Sequence, residues 1–477
     1  MTSEQLETLL RNTPVNRVEK AEVMYSAPPE LHVRGAVINV VIKRSHDYSF
    51  QGELSTNYQN RYFSSGGANG NFRFSTTKIT LDVMYGADNI KTMEYTDLLS
   101  RHTLNNNVYE IMQNEKLSSK SWMHNVRTAL EYNFNEKNHL NVAYTGSFTP
   151  DGHNRSIADG SFQQSNLDKF TDNKMNNITV QYSSGIGLEV GGDYTRYTSD
   201  NSQTMFTQLS DKSKNSYTLT GGQRIDRYSI YADQKHNLTN NWGIGYGISY
   251  RYAKDYDFQT YDNVSGNIKP ENTEAGLNEQ TTGFYFSLNK NWATGTSFSI
   301  SATGEYYTIG NYHKWAVYPQ ASLTYLKGPQ HIFSYPYQQT RAIRATGICN
   351  HRYISERIFR TSGNTGIAPY DKLYLNGTYI LKQKYIFGLF YTHTSDYFAQ
   401  TPYQATDRLA LIYKNTNWNY MRMIGANVIL PLSMGNWYDA RLTLVGMQAR
   451  QKCDRFLMYH LTAKNGCLSA HLTTASK

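Results

Sequence analysis

The side chains that could do chemistry in this 477-residue chain are 13 His, 3 Cys and 38 acidic residues, so their spacing comes first. The histidines are dispersed and none is adjacent to another; His313 lies between Tyr312 and Lys314 in a stretch that reads as an outer loop, with no second ligand within reach along the sequence. Cys349, Cys453 and Cys467 form no C-x-x-C pair. An odd number at wide spacing indicates neither a disulfide framework nor a zinc site, and unpaired thiols are expected. H-E-x-x-H, G-x-S-x-G and G-x-x-x-x-G-K-[ST] are all absent, and the acidic residues do not follow the D-x-[DN]-x-[DN]-G spacing of a calcium loop. Gly243-x-Gly245-x-Gly247 superficially suggests a nucleotide loop. It lies within an alternating strand rather than between a strand and a helix, so small residues facing an interior are expected there. No catalytic residue, cofactor or metal is expected, and the chain reads as a non-enzyme. Tyr252, Tyr256, Tyr261 and Tyr312 suggest a ligand-stacking surface, against the alternative of an interfacial aromatic belt.

The elements that carry these residues follow from composition. Tyr (40 residues), Phe (19) and Gly (34) are abundant, and mean hydropathy is −0.62. Aliphatic residues are too sparse for the several cores a soluble chain of this length would build. A membrane-spanning helix needs ~20 consecutive apolar residues, whereas the best run, Ala36 to Ile42, is short and contains Asn39. The charge of +9 is scattered, with no basic block, which suits solvated loops facing anionic headgroups rather than nucleic acid.

Periodicity decides the fold class. Leu140, Val142, Tyr144 and Phe148 alternate with Asn141, Ala143, Thr145 and Ser147. Trp242, Ile244, Tyr246, Ile248 and Tyr250 alternate with glycines and Ser249. Ile79, Leu81, Val83 and Tyr85 repeat the pattern, as do Phe298 to Tyr306 and Tyr385 to Tyr391. Period two puts one set of side chains on each face of a strand. Aromatic ends around aliphatic centres suit a lipid-facing stripe. Short polar turns (Thr76–Lys78, Asn135–Asn138, Ser184–Gly185, Leu238–Asn241) alternate with long polar stretches read as outer loops: Asp88–Ser121, Pro150–Lys174, Asn201–Gly222, Asp255–Glu279 and Arg341–Pro369. That parity belongs to a barrel with one short-turn rim and one long-loop rim. The expectation is therefore an all-β, antiparallel transmembrane β-barrel of roughly 18 strands, spanning residues 46–450.

Residues 1–45 read differently: a short helix over Ser3–Leu10, a strand over Arg17–Met24, a turn at Ala27-Pro28-Pro29 and a β-branched strand over Ala36–Ile42. Here a resemblance enters. Glu19 and Glu22 in the first strand, then Pro28, Gly35, Asn39 and Lys43, resemble the end of the plug domain of TonB-dependent outer-membrane receptors, with its "I-E-x-I-E-V" strand, Pro, and Gly before "I-N-I-x-x-K". Gly363, Asn364 and Pro369 resemble the family's "G-N-P-x-L-x-P" segment, with Thr365 in place of its first Pro. The alternating body looks most like the outer-membrane β-barrel family of Bacteroidetes-type bacteria. All of these motif residues are expected to be structural.

The resemblance implies an outer-membrane receptor that imports an unknown small ligand (an iron chelate, vitamin or glycan) past a plug, contacts outer-membrane lipid, and is driven by a TonB-type energy-coupling protein. Members have barrels of about 22 strands, so the resemblance implies about four missing here. The N-terminus lacks a basic and apolar leader. Residues 451–477 read as an atypical, possibly out-of-frame tail lacking clean alternation. The expectation is a receptor truncated at both ends: residues 1–45 the C-terminal part of the plug, 46–450 an incomplete barrel. Alternatives are a passive porin-like or structural outer-membrane barrel, and a soluble secreted all-β adhesin or glycan-binding protein.

Overall fold

The computed structural model describes residues 18–24, 27–32, 37–42, 48–326, 331–342, 353–354, 359–362, 368–405, 409, 411–434, 438–456 and 459–476. The Ser3–Leu10 helix expectation lies outside these. Among the described residues, no helix is long and apolar enough to cross a membrane.

Two strands, β1 (Val18–Met24) and β2 (Val37–Ile42), pair antiparallel as a small separate sheet, as expected from their composition. The large sheet begins with β3 (Ser49–Asn60), β4 (Ser64–Ser75), β5 (Ile79–Leu104), β6 (Asn107–Asn135) and β7 (Asn138–Gly160). It continues through β8 (Gln163–Ser183), β9 (Leu188–Leu209), β10 (Lys214–Asn237), β11 (Trp242–Ser265) and β12 (Thr273–Asn291). Next come β13 (Ser297–Ile309), β14 (Tyr312–Leu326) and β15 (His331–Ala342). Two short strands, β16 (Tyr353–Ile354) and β17 (Phe359–Ser362), precede β18 (Tyr370–Leu381) and β19 (Tyr385–Ser395). After β20 (Phe398–Gln404) and β21 (Leu411–Asn417), the sheet resumes with β22 (Tyr420–Met434), β23 (Tyr438–Phe456) and β24 (Tyr459–Ser476).

Eighteen of these strands follow one another around a ring, in an order that brings β24 next to β3. Successive neighbours from β3 to β24 are joined by antiparallel ladders, for example β5 to β6 from Ile79↔Tyr132 to Leu104↔Asn107. The strand order closes the ring, with β24 hydrogen-bonded to β3.

Register turns the sequence alternation into two faces. One rung runs Tyr144↔Ile178↔Tyr194↔Tyr228↔Tyr252 across β7 to β11. The rings of Tyr194 and Tyr228 stack at 4.8 Å and those of Tyr228 and Tyr252 at 6.4 Å. Below this row the same face carries exposed Ile230, Ile248, Phe286 and Ile300. The alternate positions Asp233, Ser287, Ser301 and Thr281 are buried and polar. Exposed apolar outside and polar inside is the inverse of a water-soluble core and matches a barrel in lipid. The periplasmic-type turns are fixed locally: Thr76 Oγ1 accepts the Ile79 amide at 2.9 Å, and Asn135 Oδ1 accepts the Asn138 amide at 2.9 Å.

Two sequence expectations change. Asp88–Ser121, Pro150–Lys174, Asn201–Gly222 and most of Asp255–Glu279 are not irregular loops but continuations of the barrel strands. β5 and β6 run for 26 and 29 residues, where a tilted span needs ~9–11. Both faces of these projecting hairpins carry polar residues, so the hydropathic period fades although the backbone ladder continues. Asn105 and Asn106, at φ of 49° and 64°, make the two-residue tip. The second change is the segment 451–477. It carries the end of β23 and the whole of β24, which pairs from Tyr438↔Ser476 to Phe456↔Tyr459. Leu468 and Leu472 are exposed outward, with Ser469, His471 and Thr473 on the alternate positions, so the outer stripe continues to the last strand. Three small or polar residues per apolar one hide that alternation from a hydropathy reading.

The stripe makes a direct test. Ile248→Arg puts a cation at mid-bilayer on the lipid face and should cost about 2–4 kcal/mol. Asn141→Arg, on the wet face, should cost little. Heat-modifiable gel mobility of the refolded chain against urea reads both; equal losses would reject the assignment of faces.

Candidate functional site

The polar interior is occupied by the chain's own N-terminal segment. Pro28 and Pro29 start a single 3-10 turn over Pro29–Leu31, closed by Leu31 N–H to Pro28 O (3.1 Å) and His32 N–H to Pro29 O (3.0 Å). The proline φ of −63° presets this turn, and His32 ends it in the left-handed region at φ 53°. Ala27 is completely buried. The turn lies against β11, β12 and β13.

Its anchor is His32. The ring Nε2 sits 2.6 Å from Asp233 Oδ2 on β10. The ring packs on Tyr231 at 4.2 Å and meets Tyr285 of β12 edge-on at 6.3 Å. Asp233 is only 2% exposed, and a carboxylate that deep needs a partner to stay charged. The β11 glycines make the space. A Cβ at Gly247 would overlap Asp233 Oδ1 and stand 2.7 Å from Tyr285 Cε1, and one at Gly245 would stand 2.6 Å from Ser287 Oγ. The Gly243-x-Gly245-x-Gly247 run therefore does face the interior, and two of its glycines shape the pocket for the Asp233–His32 contact. Glu30 of the turn is half-buried, and its Oε2 has no protein partner among the described residues.

Further outward, the lumenal wall carries Glu279 on β12, level with Ala253 and Ile309. Its carboxyl feels the charges of Arg251 and Arg227. Arg251 also approaches Glu305 at 3.7 Å. Above this level Met205, Tyr217 and Leu219 form a small apolar cluster with Leu167, Tyr261 and Ile268 at the outer end of the hairpins.

A second sheet, β16-β17-β21-β20, in which β17 and β21 run parallel, touches the outer end of the barrel. Gln404 of β20 reaches the tip of the β5–β6 hairpin: its Oε1 accepts the Thr103 amide at 3.0 Å and its Nε2 donates to the Thr103 carbonyl. Asn417 clamps Ala368 in the same two-bond manner, at 2.8 and 3.0 Å.

The motif residues do not converge on one site. Glu19 is the bulge residue of β1, skipped in its register with β2, and Glu22 stands opposite Asn39 in that ladder. Pro28 caps the lumenal turn. Pro369 is buried immediately before β18. Gly35, Lys43, Gly363 and Asn364 lie outside the described residues. The four tyrosines also separate. Tyr252 and Tyr256 are on the outward face, with the Tyr256 hydroxyl on Glu274 at 3.1 Å. Tyr261 packs inward on Tyr217 at 5.4 Å, and Tyr312 meets Tyr307 edge-on at 6.2 Å. They form no shared stacking surface, because alternation sends neighbours to opposite faces. His313 is in β14, opposite Thr308, rather than in a loop. Cys453 and Cys467 are both free. Among the described residues, no group of three or more His, Cys, Asp or Glu converges as a metal-ligand set. His32 escaped the sequence reading because one His after a proline turn has no pattern; its partner is 201 residues away.

A wide ring of antiparallel strands, greasy outside and polar inside, with the Pro28–His32 turn seated on its inner wall, defines an outer-membrane β-barrel. A sequence profile for the "Outer membrane protein beta-barrel family" matches residues 181–475, and the chain belongs to that family. The match runs through nearly all of β24. No curated protein matches at the level of sequence. Solved structures share the fold. A mutant of the ferric enterobactin receptor from Pseudomonas aeruginosa, in complex with enterobactin, superposes with a TM-score of 0.56 at 10% identity, covering 97% of this chain and 78% of that one. The siderophore receptor PirA from the same organism gives 0.52 at 11% identity, covering 97% and 81%.

One outcome follows. With native cysteines replaced by serine, Ala27→Cys should resist maleimide in the folded protein. Adding Asp233→Ala should speed labelling about ten-fold or more, the loss of a charge-assisted hydrogen bond worth roughly 1.5–3 kcal/mol. An unchanged rate would mean the turn is held elsewhere.

Proposed function

We propose that the chain is the barrel and inner-plug part of an energy-coupled outer-membrane receptor that imports a small ligand. The observation that carries this is the Pro28–His32 turn seated inside the lumen on Asp233. A passive pore gains nothing from a wall carboxylate tied to its own obstruction. A transporter that must stay sealed until pulled does, because a lumen of this strand number would otherwise leak. The solved structures with this fold include a ferric enterobactin receptor and a siderophore receptor, which supports an iron chelate ahead of a vitamin or glycan. The force would come from a TonB-type coupling protein acting on the N-terminal side of β1.

The test is uptake. Iron-starved cells carrying the gene should take up a labelled ferric catecholate chelate. Uptake should stop when the coupling protein is deleted or the proton gradient is collapsed. Uptake that persists without either would establish the passive-pore alternative.

A further inference from the structure

Outside the lumen, one side of the barrel carries an ordered row of cations. The ladders place His393 of β19 opposite Arg422 of β22, Arg422 opposite Arg450 of β23, and Arg450 opposite Lys464 of β24. Alternation puts all four on the outward face, in line with the exposed Leu389, Ile424 and Leu468 of the lipid stripe. The row stands one rung, about 7 Å along the strand, beyond Tyr391 and Ile424. That is the level of the lipid headgroups, just past the aromatic end of the apolar band.

Arg422 is held in place rather than trailing in solvent. Its Nε donates to His393 Nδ1 at 3.0 Å, and its guanidinium lies 4.4 Å from the centroid of Tyr420. The terminal nitrogens of Arg422 remain for an outside anion, and a guanidinium matches a phosphate bidentately. Arg450 and Lys464 are exposed on the same rung, and no carboxylate shares it. The contrast is on β9 to β11. There Arg196 and Lys254 also stand one rung above the tyrosine row, but Asp226 lies between them.

We propose that Arg422, Arg450 and Lys464 form a docking site for the phosphorylated headgroup of an outer-leaflet lipid. The occupant follows from position: the row continues the lipid-contacting face, and what borders that face at headgroup level is lipid. The inference rests on the outer-membrane location and not on the transport reading, so either can fail alone.

The test uses the full chain, refolded in detergent and verified by heat-modifiable mobility. Native mass spectrometry would score retention of diphosphorylated lipid A against the same lipid A with its phosphates removed. The wild type should retain the phosphorylated form preferentially. R422Q/R450Q/K464Q should lose that preference by about ten-fold or more, since each cation at a lipid surface contributes on the order of 1 kcal/mol. A charge-matched control at the hairpin tips, R101Q/K212Q/K214Q, should keep it. If the triple variant does not fold, R450Q/K464Q leaves the His393–Arg422–Tyr420 contacts intact and should still lose about three-fold or more. Equal retention of both lipids by the wild type, or full preference in the folded variants, would overturn the assignment.

Discussion

Every feature of this molecule is subordinate to one requirement: in hydrocarbon, no backbone N–H or C=O may go unpaired. Each unpaired group costs several kcal/mol, and strands satisfy the rule only by pairing on both sides. A chain of this composition cannot make spanning helices, so it must close a sheet. The ladders from β3 to β24 do this for interior strands. The two terminal strands, β24 and β3, pair with each other, so the ring leaves no open edge. Leu54 at 78% exposure and Leu468 at 83% carry the apolar stripe across that junction.

Closing a sheet of this many strands creates a second problem, because the wall encloses more volume than its side chains fill. The lumenal face answers it with local chemistry rather than bulk. Gly245 and Gly247 recess β11, Asp233 and Tyr285 fill the recess, and a proline-preset turn brings His32 onto the carboxylate. Each step needs the previous one. A side chain at position 247 would displace Asp233, and without Asp233 the His32 ring would keep only its ring contacts with Tyr231 and Tyr285. Conformational economy helps as well: Pro28 and Pro29 have little freedom to lose when the turn orders.

The fold was legible because its determinant is short-range. Alternation at Leu140–Phe148 or Trp242–Tyr250 is visible in the sequence and translates directly into two faces. The pairing strands β1 and β2 were legible for the same reason, since Val37–Ile42 is rich in β-branched residues. What sequence reading missed has no local signature. The projecting hairpins carry polar side chains on both faces, so ladder and loop look alike over Asp88–Ser121. β24 alternates through Leu468, Ala470 and Leu472, but with interleaved small and polar residues the signal is weak. The His32–Asp233 contact joins residues 201 apart, and the Gln404–Thr103 clamp joins residues 301 apart. Such pairs are fixed by ring order, which alternation does not encode.

Ring order also explains how scattered charges become organised. Read along the chain, the basic residues show no block, and the overall +9 suggests only a diffuse preference for anions. Register sorts them. His393, Arg422, Arg450 and Lys464 are separated by 29, 28 and 14 positions in sequence, yet stand side by side on one rung. The carboxylates Asp233 and Glu305 are sorted the other way, into the buried lumenal wall, Asp233 on His32 and Glu305 near Arg251. Alternation thus sets polarity by face and register sets charge by height. A period-two sequence of ordinary residues is thereby enough to present cations on the outer face and carboxylates on the inner wall.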